Sequence, residues 1–549
     1  MRSRLARIAA AVLIAASVGG PTKAAPDPYS GYVNEHAYVP TIYGDIYVQY
    51  WRPLRGRVPV IVQMSPYRYL YARANPTSEI TDFYSDRYLP RGYGAAFADL
   101  LGTGLSGGCY DYGGMAEARA GYEVVEWLAR QPWSTGKIGM IGTSYDGAIQ
   151  VETAALAPPH LAAIVPQEPV TSWYGYNYDH AVSHMSDDEQ QGGYPVGTPD
   201  VFDLVLGRTI NTDPDRSIDD RRRNLAERTD ECGTVEHNVR GHLVDPTYGQ
   251  FWVERDWARR AQRIRAAVLW QHGWRDMNTK PDQFWRAWPR LLASNSPDVR
   301  ALVGQWQHTD VFASAPSGVD FPVEPAAYLD AFFDRWLLGK DPELLRKTPK
   351  VLSEDRDGVF RTTLPVGIEP TVTWLDHGAS PGKLVATAGA ARGTGAFTNT
   401  GLESSAVFKA DPLNELGTTL AYLGEPFARP MRLVGSGRVV VYGTSSGTRG
   451  HLDATLFDIA PDGSAQVITL GLSDLRFRLN LSSPSALTPG SMFVAGITLR
   501  PQDHVIAKGH RVGLVLAGSE SVWGISDPAV GQALEITPAS RLELPLVRP

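Results

Sequence analysis

The stretch that decides the fold is Lys137-Ile-Gly-Met-Ile-Gly-Thr-Ser-Tyr-Asp-Gly147. Its first half predicts a strand over Lys137–Gly142, and Tyr145–Ala157 predicts a helix that follows directly. Ser144 lies on the turn between them, where a nucleophilic hydroxyl can stand clear of the backbone. The glycines on either side, Gly142 and Gly147, remove side chains that would crowd this turn. The stretch therefore predicts a serine nucleophile on a strand–turn–helix junction.

Strands and helices alternate on both sides of this junction. Further strands are predicted at Val58–Gln63, Gly94–Asp99, His160–Pro166, Ala266–Gln271 and Val299–Gly304, and further helices at Ala116–Arg130 and Tyr328–Leu338. Such alternation predicts a parallel sheet covered by helices on both faces. Between about residues 170 and 255 the chain is rich in Trp, Tyr, Asp and Arg, which favours a mostly helical insertion that caps the sheet.

Two polar residues follow the last two predicted strands. Asp276 comes shortly after Ala266–Gln271, and His308 comes shortly after Val299–Gly304. In α/β hydrolases the serine, the acid and the histidine occur in this chain order, each just past a strand. A serine hydroxyl needs a base to take its proton, and the base needs an acid that fixes its tautomer. The sequence therefore predicts an α/β-hydrolase fold with a triad of Ser144, Asp276 and His308.

The amide of Tyr145 lies at the start of the predicted helix. A helix N-terminus there can stabilise the oxyanion that develops during acyl transfer, so this amide is a predicted oxyanion donor. The usual turn has glycine two residues after the serine, and Asp146 occupies that position here.

Composition restricts the remaining function classes. The 549 residues carry a formal net charge of -7, and no basic stripe suggests a nucleic-acid partner. His180 and His184 could share a helical face, but no third ligand lies near them in sequence, so we predict neither a metal nor another cofactor. The oligomeric state is left open.

The N-terminus has the pattern of an export signal. Arg2, Arg4 and Arg7 precede the apolar run Ile8–Val18, and Thr22-Lys23-Ala24 offers a cleavage point near Ala25. We therefore predict a secreted, extracellular protein with no membrane attachment after cleavage, with an uncleaved anchor as the alternative. The chain has two cysteines, Cys109 and Cys232, which form either one disulfide or two free thiols.

Beyond about residue 350, short alternating runs separated by Gly, Pro, Ser and Asp predict an all-β sandwich. The predicted segments are a signal peptide at 1–25, the hydrolase domain at 26–169 and 256–345, the helical cap at 170–255, and the β-sandwich domain at 350–549.

The sequence resembles the cocaine-esterase and Xaa-Pro dipeptidyl-peptidase group of serine hydrolases from about residue 35 to the end. The motifs that carry the resemblance are Gln131–Gly147, the glycine-rich Asp99–Gly108, Gly-Trp-Arg-Asp276, Trp306-Gln-His308, Phe332–Leu337, Leu456–Gly463 and Gly509-His-Arg511. The resemblance implies that the C-terminal domain is a jelly roll. It also implies that the Tyr67 hydroxyl completes the oxyanion hole, since Pro66-Tyr67 matches a family motif.

Three positions depart from the family pattern. Leu101 replaces the usual arginine of the glycine-rich loop, and Gln305 and Thr309 stand where the family commonly has Pro and Gly. None of these changes removes a catalytic group.

The resemblance offers two substrate classes. One is a peptide from which a dipeptide is released after a penultimate proline, and the other is a small acyl or aryl ester or amide. A peptidase must bind a free α-ammonium group, for which Glu168 and Asp179 are candidates, whereas the acidic run Asp187-Asp188-Glu189 is more typical of a solvated surface. Trp173 and Tyr174 either wall the substrate pocket or pack the cap. A non-catalytic binding protein is the alternative from another class.

Overall fold

The computed structural model describes residues 29–67, 83–183, 186–187, 195–196, 246–401, 417–520 and 529–549. The predicted signal peptide at 1–25, most of the predicted cap at 170–255 and Cys232 lie outside these residues. Within them, no helix combines the length and the apolar character that crossing a membrane would require.

A ten-stranded sheet organises the first part of the chain. Its strands are β1 (Tyr32–Val39), β2 (Ile46–Pro53), β3 (Val58–Ser65), β4 (Gly94–Asp99), β5 (Ser134–Thr143), β6 (Leu161–Gln167), β7 (Ala267–Gly273), β8 (Val299–Gly304), β9 (Val351–Glu354) and β10 (Phe360–Arg361). The spatial order is β1-β2-β4-β3-β5-β6-β7-β8-β9-β10. Strands β3 to β9 run parallel, and β1, β2 and β10 pair antiparallel at the edges. This is the α/β-hydrolase fold that the sequence predicts.

Helices cover both faces of this sheet. They are α1 (Phe83–Tyr88), α2 (Met115–Ala129), α3 (Tyr145–Ala154), α4 (Trp173–Asn177), α5 (Gln250–Glu254), α6 (Asp282–Leu292), α7 (Pro325–Trp336) and α8 (Glu343–Lys347). On β5, Ile138 and Met140 join the apolar cluster on one face, and Ile141 joins the cluster on the other. Gly139 lets α7 approach, because a Cβ atom there would lie 2.9 Å from the Phe333 ring.

The hydrolase sheet continues past residue 345, where the predicted hydrolase domain ends. The sequence places the end of the hydrolase domain at residue 345, but β9 pairs in parallel with β8 and β10 pairs with β9. The hydrolase sheet therefore extends to Arg361. Short alternating runs of this kind are typical of both sheets, and periodicity does not reveal which sheet edge a strand joins.

The C-terminal domain is all-β among its described residues, apart from short 3-10 turns. Its strands are β11 (Thr371–Asp376), β12 (Gly382–Val385), β13 (Gly395–Thr398), β14 (Thr419–Leu423), β15 (Met431–Gly435), β16 (Arg438–Ser445), β17 (His451–Ile459), β18 (Ala465–Asp474), β19 (Phe493–Thr498), β20 (Gln502–Ile506), β21 (Arg511–Ala517), β22 (Ala533–Ile536), β23 (Arg541–Leu544) and β24 (Leu546–Val547). One sheet has the order β13-β22-β16-β23-β11-β12-β14-β21-β17-β18, with β19 on β16, and a smaller sheet has the order β20-β15-β24. Apolar side chains of both sheets form the domain core.

The smaller sheet faces the hydrolase domain through a buried ion pair. Arg432 on β15 binds both carboxylate oxygens of Asp503 on β20, and the side chains are 4% and 0% exposed. Ser353 on β9 donates to the same carboxylate at 2.6 Å, and Trp274 donates its indole N–H to Ser353 Oγ at 3.2 Å. The ion pair is therefore connected to the hydrolase sheet by hydrogen bonds through Ser353.

We expect Asp503→Asn to lower the free energy of unfolding by about 3–5 kcal/mol, because it leaves the buried Arg432 charge uncompensated. Denaturant unfolding followed by tryptophan fluorescence measures this loss. The matched control is Lys347→Gln, which breaks the exposed pair between Lys347 and Glu343 and should cost less than about 1 kcal/mol. Equal stability of the two variants would contradict the importance of the buried pair.

Candidate active site

Ser144 occupies a strained turn at the carboxyl edge of the sheet. It follows β5 and precedes α3 with φ 64° and ψ −122°, a left-handed conformation that non-glycine residues rarely adopt. Its amide donates to Gln167 O at 2.9 Å, and its carbonyl accepts from the amides of Gly147 and Ala148 at 3.0 and 2.9 Å. The chain thus holds the serine in the geometry of a nucleophile elbow.

The two glycines of the motif are required by close backbone approach. A Cβ atom on Gly142 would lie 2.6 Å from Asp146 Cβ, and one on Gly147 would lie 2.6 Å from Gln167 O. Asp146, which stands where glycine is usual, is itself buried and accepts a hydrogen bond from Gln63 Nε2 at 2.7 Å. Gln63 on β3 therefore accommodates the departure from the usual elbow.

Asp276 and His308 meet because β7 and β8 are parallel neighbours whose carboxyl ends share one edge. His308 Nδ1 lies 2.8 Å from Asp276 Oδ2. The fully buried Asp276 also accepts hydrogen bonds from the Asn278 amide, at 2.8 Å, and from the amide and hydroxyl of Thr279, at 2.9 and 2.7 Å. These donors fix the carboxylate, and the carboxylate in turn fixes the imidazole.

Asp276 and His308 stabilise each other's charged forms. Burial alone would raise the pKa of Asp276, but the His308 ring and the hydrogen bonds hold that pKa well below its ordinary value. Burial alone would lower the pKa of His308, but Asp276, together with a further hydrogen bond that the ring donates to Glu168, raises it well above its ordinary value. The site therefore stabilises an imidazolium, which is the charge state that follows removal of a proton from a serine.

Glu168 lies elsewhere than predicted for a substrate-pocket residue. Its side chain is fully buried, and Oε2 lies 3.0 Å from His308 Nδ1 and accepts from the Thr309 amide at 2.6 Å. Burial, followed by the Asp276 charge, raises the pKa of Glu168 to about 8. The predicted role in binding a substrate amine does not fit this position, because the carboxyl is fully buried and faces His308.

Trp173 and Tyr174 are also buried, with 2% and 3% of their surface exposed. Trp173 donates its indole N–H to Glu152 at 3.0 Å, and Tyr174 donates its hydroxyl to Pro246 O at 2.9 Å. A pocket wall needs a face open to the ligand, so this burial favours the alternative in which both residues pack the core.

The two predicted oxyanion donors come from different elements. Tyr145 is the first residue of α3, where backbone amides have no partner within the helix. Its side chain points away into the core, where the hydroxyl donates to Glu117 at 2.8 Å. Tyr67 lies two residues after the end of β3 and is half-buried, and its amide donates to Ser65 Oγ at 3.1 Å.

The Ser144 hydroxyl forms no hydrogen bond with His308 among the described residues. Contacts of this kind are often long in a substrate-free enzyme and shorten in the Michaelis complex. With Nδ1 engaged by Asp276, Nε2 is the ring nitrogen left for the serine.

The remaining predicted features lie around this centre. Leu101 is buried in the apolar core, so it replaces the family's arginine by packing. Cys109 is disulfide-bonded, which favours the disulfide over the free thiols. His180 is partly buried, and His184 lies outside the described residues. In the described part of the chain, Glu168, Asp276 and His308 are close enough to share a metal, but the Nδ1 contacts of His308 account for their proximity.

Comparisons with known proteins cover almost the whole chain. The family model of the X-Pro dipeptidyl-peptidase (S15 family) matches residues 45–310, and that of the X-Pro dipeptidyl-peptidase C-terminal non-catalytic domain matches residues 346–536. A Streptomyces avermitilis protein described as an Xaa-Pro dipeptidyl-peptidase is 28% identical, over 94% of this chain and 84% of its own length. The cocaine esterase of a Rhodococcus species is 24% identical, over 86% of this chain and 88% of its own length.

Two solved structures share the fold. A CocE/NonD family hydrolase from Staphylococcus aureus superposes with a TM-score of 0.73 at 17% identity, covering 94% of this chain and 93% of that one. An α-amino acid ester hydrolase superposes with a TM-score of 0.71 at 17% identity, covering 98% and 100%.

We expect Gly147→Ala to lower kcat by at least about 10², because its Cβ would displace the Gln167 carbonyl and shift the serine by a fraction of an ångström or more. Steady-state kinetics on the folded variant measure the loss. Gly249→Ala is the matched control, since a Cβ atom there meets nothing within 4 Å. Wild-type kcat in Gly147→Ala would contradict the close approach.

We also expect kcat/KM to rise with pH through a pKa above about 6.5, the ordinary value for histidine. His308 must be neutral to accept a proton, and the neighbouring carboxyl groups raise its pKa, so the neutral form appears only at higher pH. The measurement is a pH profile for a substrate without titrating groups. A rise centred at or below 6.5 would refute the assignment of this base.

Proposed function

Because the chain belongs to the group of serine hydrolases that contains cocaine esterase and the Xaa-Pro dipeptidyl-peptidases, we propose that it cleaves acyl bonds through a covalent acyl-enzyme on Ser144. The observation that carries this proposal is the 2.8 Å contact between His308 Nδ1 and buried Asp276, on the sheet edge that also presents Ser144.

The reaction follows from the positions of these groups. His308 Nε2 takes the proton of Ser144 Oγ as Oγ attacks the substrate carbonyl carbon, and Asp276 stabilises the resulting imidazolium. The Tyr145 amide and the Tyr67 hydroxyl donate to the oxyanion of the tetrahedral intermediate. The imidazolium then protonates the leaving group. His308 then takes a proton from a water molecule, which attacks the carbonyl carbon of the acyl-enzyme. The acid is released, and the imidazolium returns a proton to Ser144 Oγ.

For the substrate, we propose a peptide with a free N-terminus and a penultimate proline. The S15 family match and the similarity to proteins described as Xaa-Pro dipeptidyl-peptidases support this class. The second candidate is a small acyl or aryl ester or amide, which the similarity to cocaine esterase favours.

The two described candidates for binding the α-ammonium group, Glu168 and Asp179, both have carboxyl groups that contact other side chains. Glu168 faces His308, and Asp179 pairs with Lys280 at 3.0 Å and with Arg500, so its charge is already balanced. Asp188 and Glu189 of the acidic run lie outside the described residues.

We also propose that the protein is exported. The positive charges, the apolar run and the small residue near Ala25 at the N-terminus support this proposal. A disulfide at Cys109 fits an oxidising compartment.

The substrate proposal is tested by comparing Gly-Pro-anilide, its N-acetylated form and an aryl acetate ester on the wild-type enzyme. We expect Gly-Pro-anilide to be cleaved and its acetylated form to react at least about 10²-fold more slowly, because acetylation removes the ammonium charge that a dipeptidyl peptidase must bind. Equal rates for the two anilides, together with faster ester cleavage, would favour the esterase candidate.

Ser144→Ala is the control for all three substrates. It should remove turnover and fluorophosphonate labelling while the protein stays folded. Undiminished turnover in this variant would overturn the triad itself.

A further inference from the structure

Two carboxyl groups face one nitrogen of the catalytic histidine. His308 Nδ1 lies 2.8 Å from Asp276 Oδ2 and 3.0 Å from Glu168 Oε2. The two acids come from neighbouring elements, since Glu168 follows β6 directly and Asp276 lies just past β7. Strands β6 and β7 are parallel and pair Gln167 with Gln271, so both acids emerge at the same sheet edge.

Glu168 is held in place as firmly as Asp276. Its amide donates to Gln271 O at 2.9 Å, Oε1 accepts from Gln271 Nε2 at 3.1 Å, and Oε2 accepts from the Thr309 amide at 2.6 Å. Its φ of 45° is a strained value for a glutamate, and such strain concentrates at functional sites. The side chain is thus fixed against both the histidine and the backbone that follows it.

Two carboxylates this close cannot both carry a full charge away from water. Burial and the Asp276 charge raise the pKa of Glu168 to about 8, whereas the pKa of Asp276 is lowered. Asp276 therefore carries the charge near neutral pH, and Glu168 is mostly neutral. Gln271 Oε1 is buried with no hydrogen-bond partner in the described part of the chain. If this amide were rotated by 180°, its oxygen would accept the proton of neutral Glu168.

We propose that Glu168 is a second orienting acid for His308, which shares the Nδ1 proton with Asp276 and takes over the negative charge when Asp276 loses it. This inference rests on the proposed triad. Glu168 acts through His308 and does not touch the substrate, so it is a positioning residue. Removal of the Asp276 charge removes one of the two causes that keep Glu168 neutral, and the glutamate then ionises beside the imidazole.

The test compares Asp276→Asn, Glu168→Gln and the double variant of the full-length enzyme. In a serine hydrolase whose histidine has lost its acid, kcat falls by about 10⁴. We expect kcat to fall only about 10²-fold in Asp276→Asn alone, because Glu168 still fixes the tautomer of His308. In the double variant we expect kcat to fall about 10⁴-fold. Glu168→Gln alone should lose less than about 10-fold in kcat with KM unchanged.

The matched control is Glu126→Gln in the Asp276→Asn background. Glu126 Oε2 lies 2.8 Å from His160 Nδ1, a carboxylate–imidazole pair outside the site, and its loss should add nothing. A loss of about 10⁴ in Asp276→Asn alone, with no further loss in the double variant, would overturn the proposal.

A pH profile gives a second readout that a purely structural role would not move. Glu168 contributes to raising the pKa of His308, so Glu168→Gln should shift the acidic limb of kcat/KM to lower pH. His272 also lies near the ring, and burial lowers its pKa to about 4, so it stays neutral across the limb. An unshifted limb in a folded Glu168→Gln would also overturn the proposal. If the wild-type enzyme showed no fluorophosphonate labelling that depends on Ser144, the triad itself would be refuted instead.

Discussion

The site depends on one hydrogen bond, which joins His308 Nδ1 to the carboxylate of Asp276. A carboxylate with no exposed surface remains ionised only when donors replace the water it has lost. The Asn278 amide, the two groups of Thr279 and the imidazole supply those donors. The local chain from Asp276 to Thr279 therefore folds back on its own carboxylate. Because this turn holds the carboxylate against His308 Nδ1, it also fixes the tautomer of the imidazole.

The hydrogen bond joins two loops, and the C-terminal domain contacts both of them. Gln502 donates to Trp274 O at 2.8 Å, close to the acid, and Gln305 donates to Asp503 O at 3.1 Å, close to the base. Arg500 reaches Asp179 and the sulfur of Met277, next to Asp276. The β domain thus fixes the relative positions of the acid and base loops although it provides none of the proposed catalytic groups.

Much of this arrangement could be predicted from the sequence, because its signals are local. The strand before Ser144 and the two strands that precede Asp276 and His308 have the apolar pattern of buried parallel strands, and their order specifies the fold. The observed bounds differ from the predicted ones by a few residues: for example, the strand predicted at Lys137–Gly142 spans Ser134–Thr143. The structure brings Asp276 and His308 together as that order predicts.

Other features depend on contacts between distant parts of the chain. The prediction for Glu168 used its chemistry but not its position at the end of β6, which was the signal that could have placed it beside His308. That β9 joins the hydrolase sheet could not be predicted either, because its short apolar run resembles a strand of the β domain. The support by Gln502 and Arg500 depends on docking of two domains, for which the sequence contains no periodic signal.

The docking has a consequence for how such a chain can change over evolutionary time. A module that only adds mass can be exchanged for another by recombination, since its neighbour functions without it. Here the side-chain amide of Gln305, a residue of the hydrolase domain, donates both to Glu354 O of its own sheet and to Asp503 O of the β domain. The two halves are therefore matched at the level of single side chains. A substitution on either side of the junction restricts what the other side can accept, so we expect the two domains to tolerate exchange only as one unit.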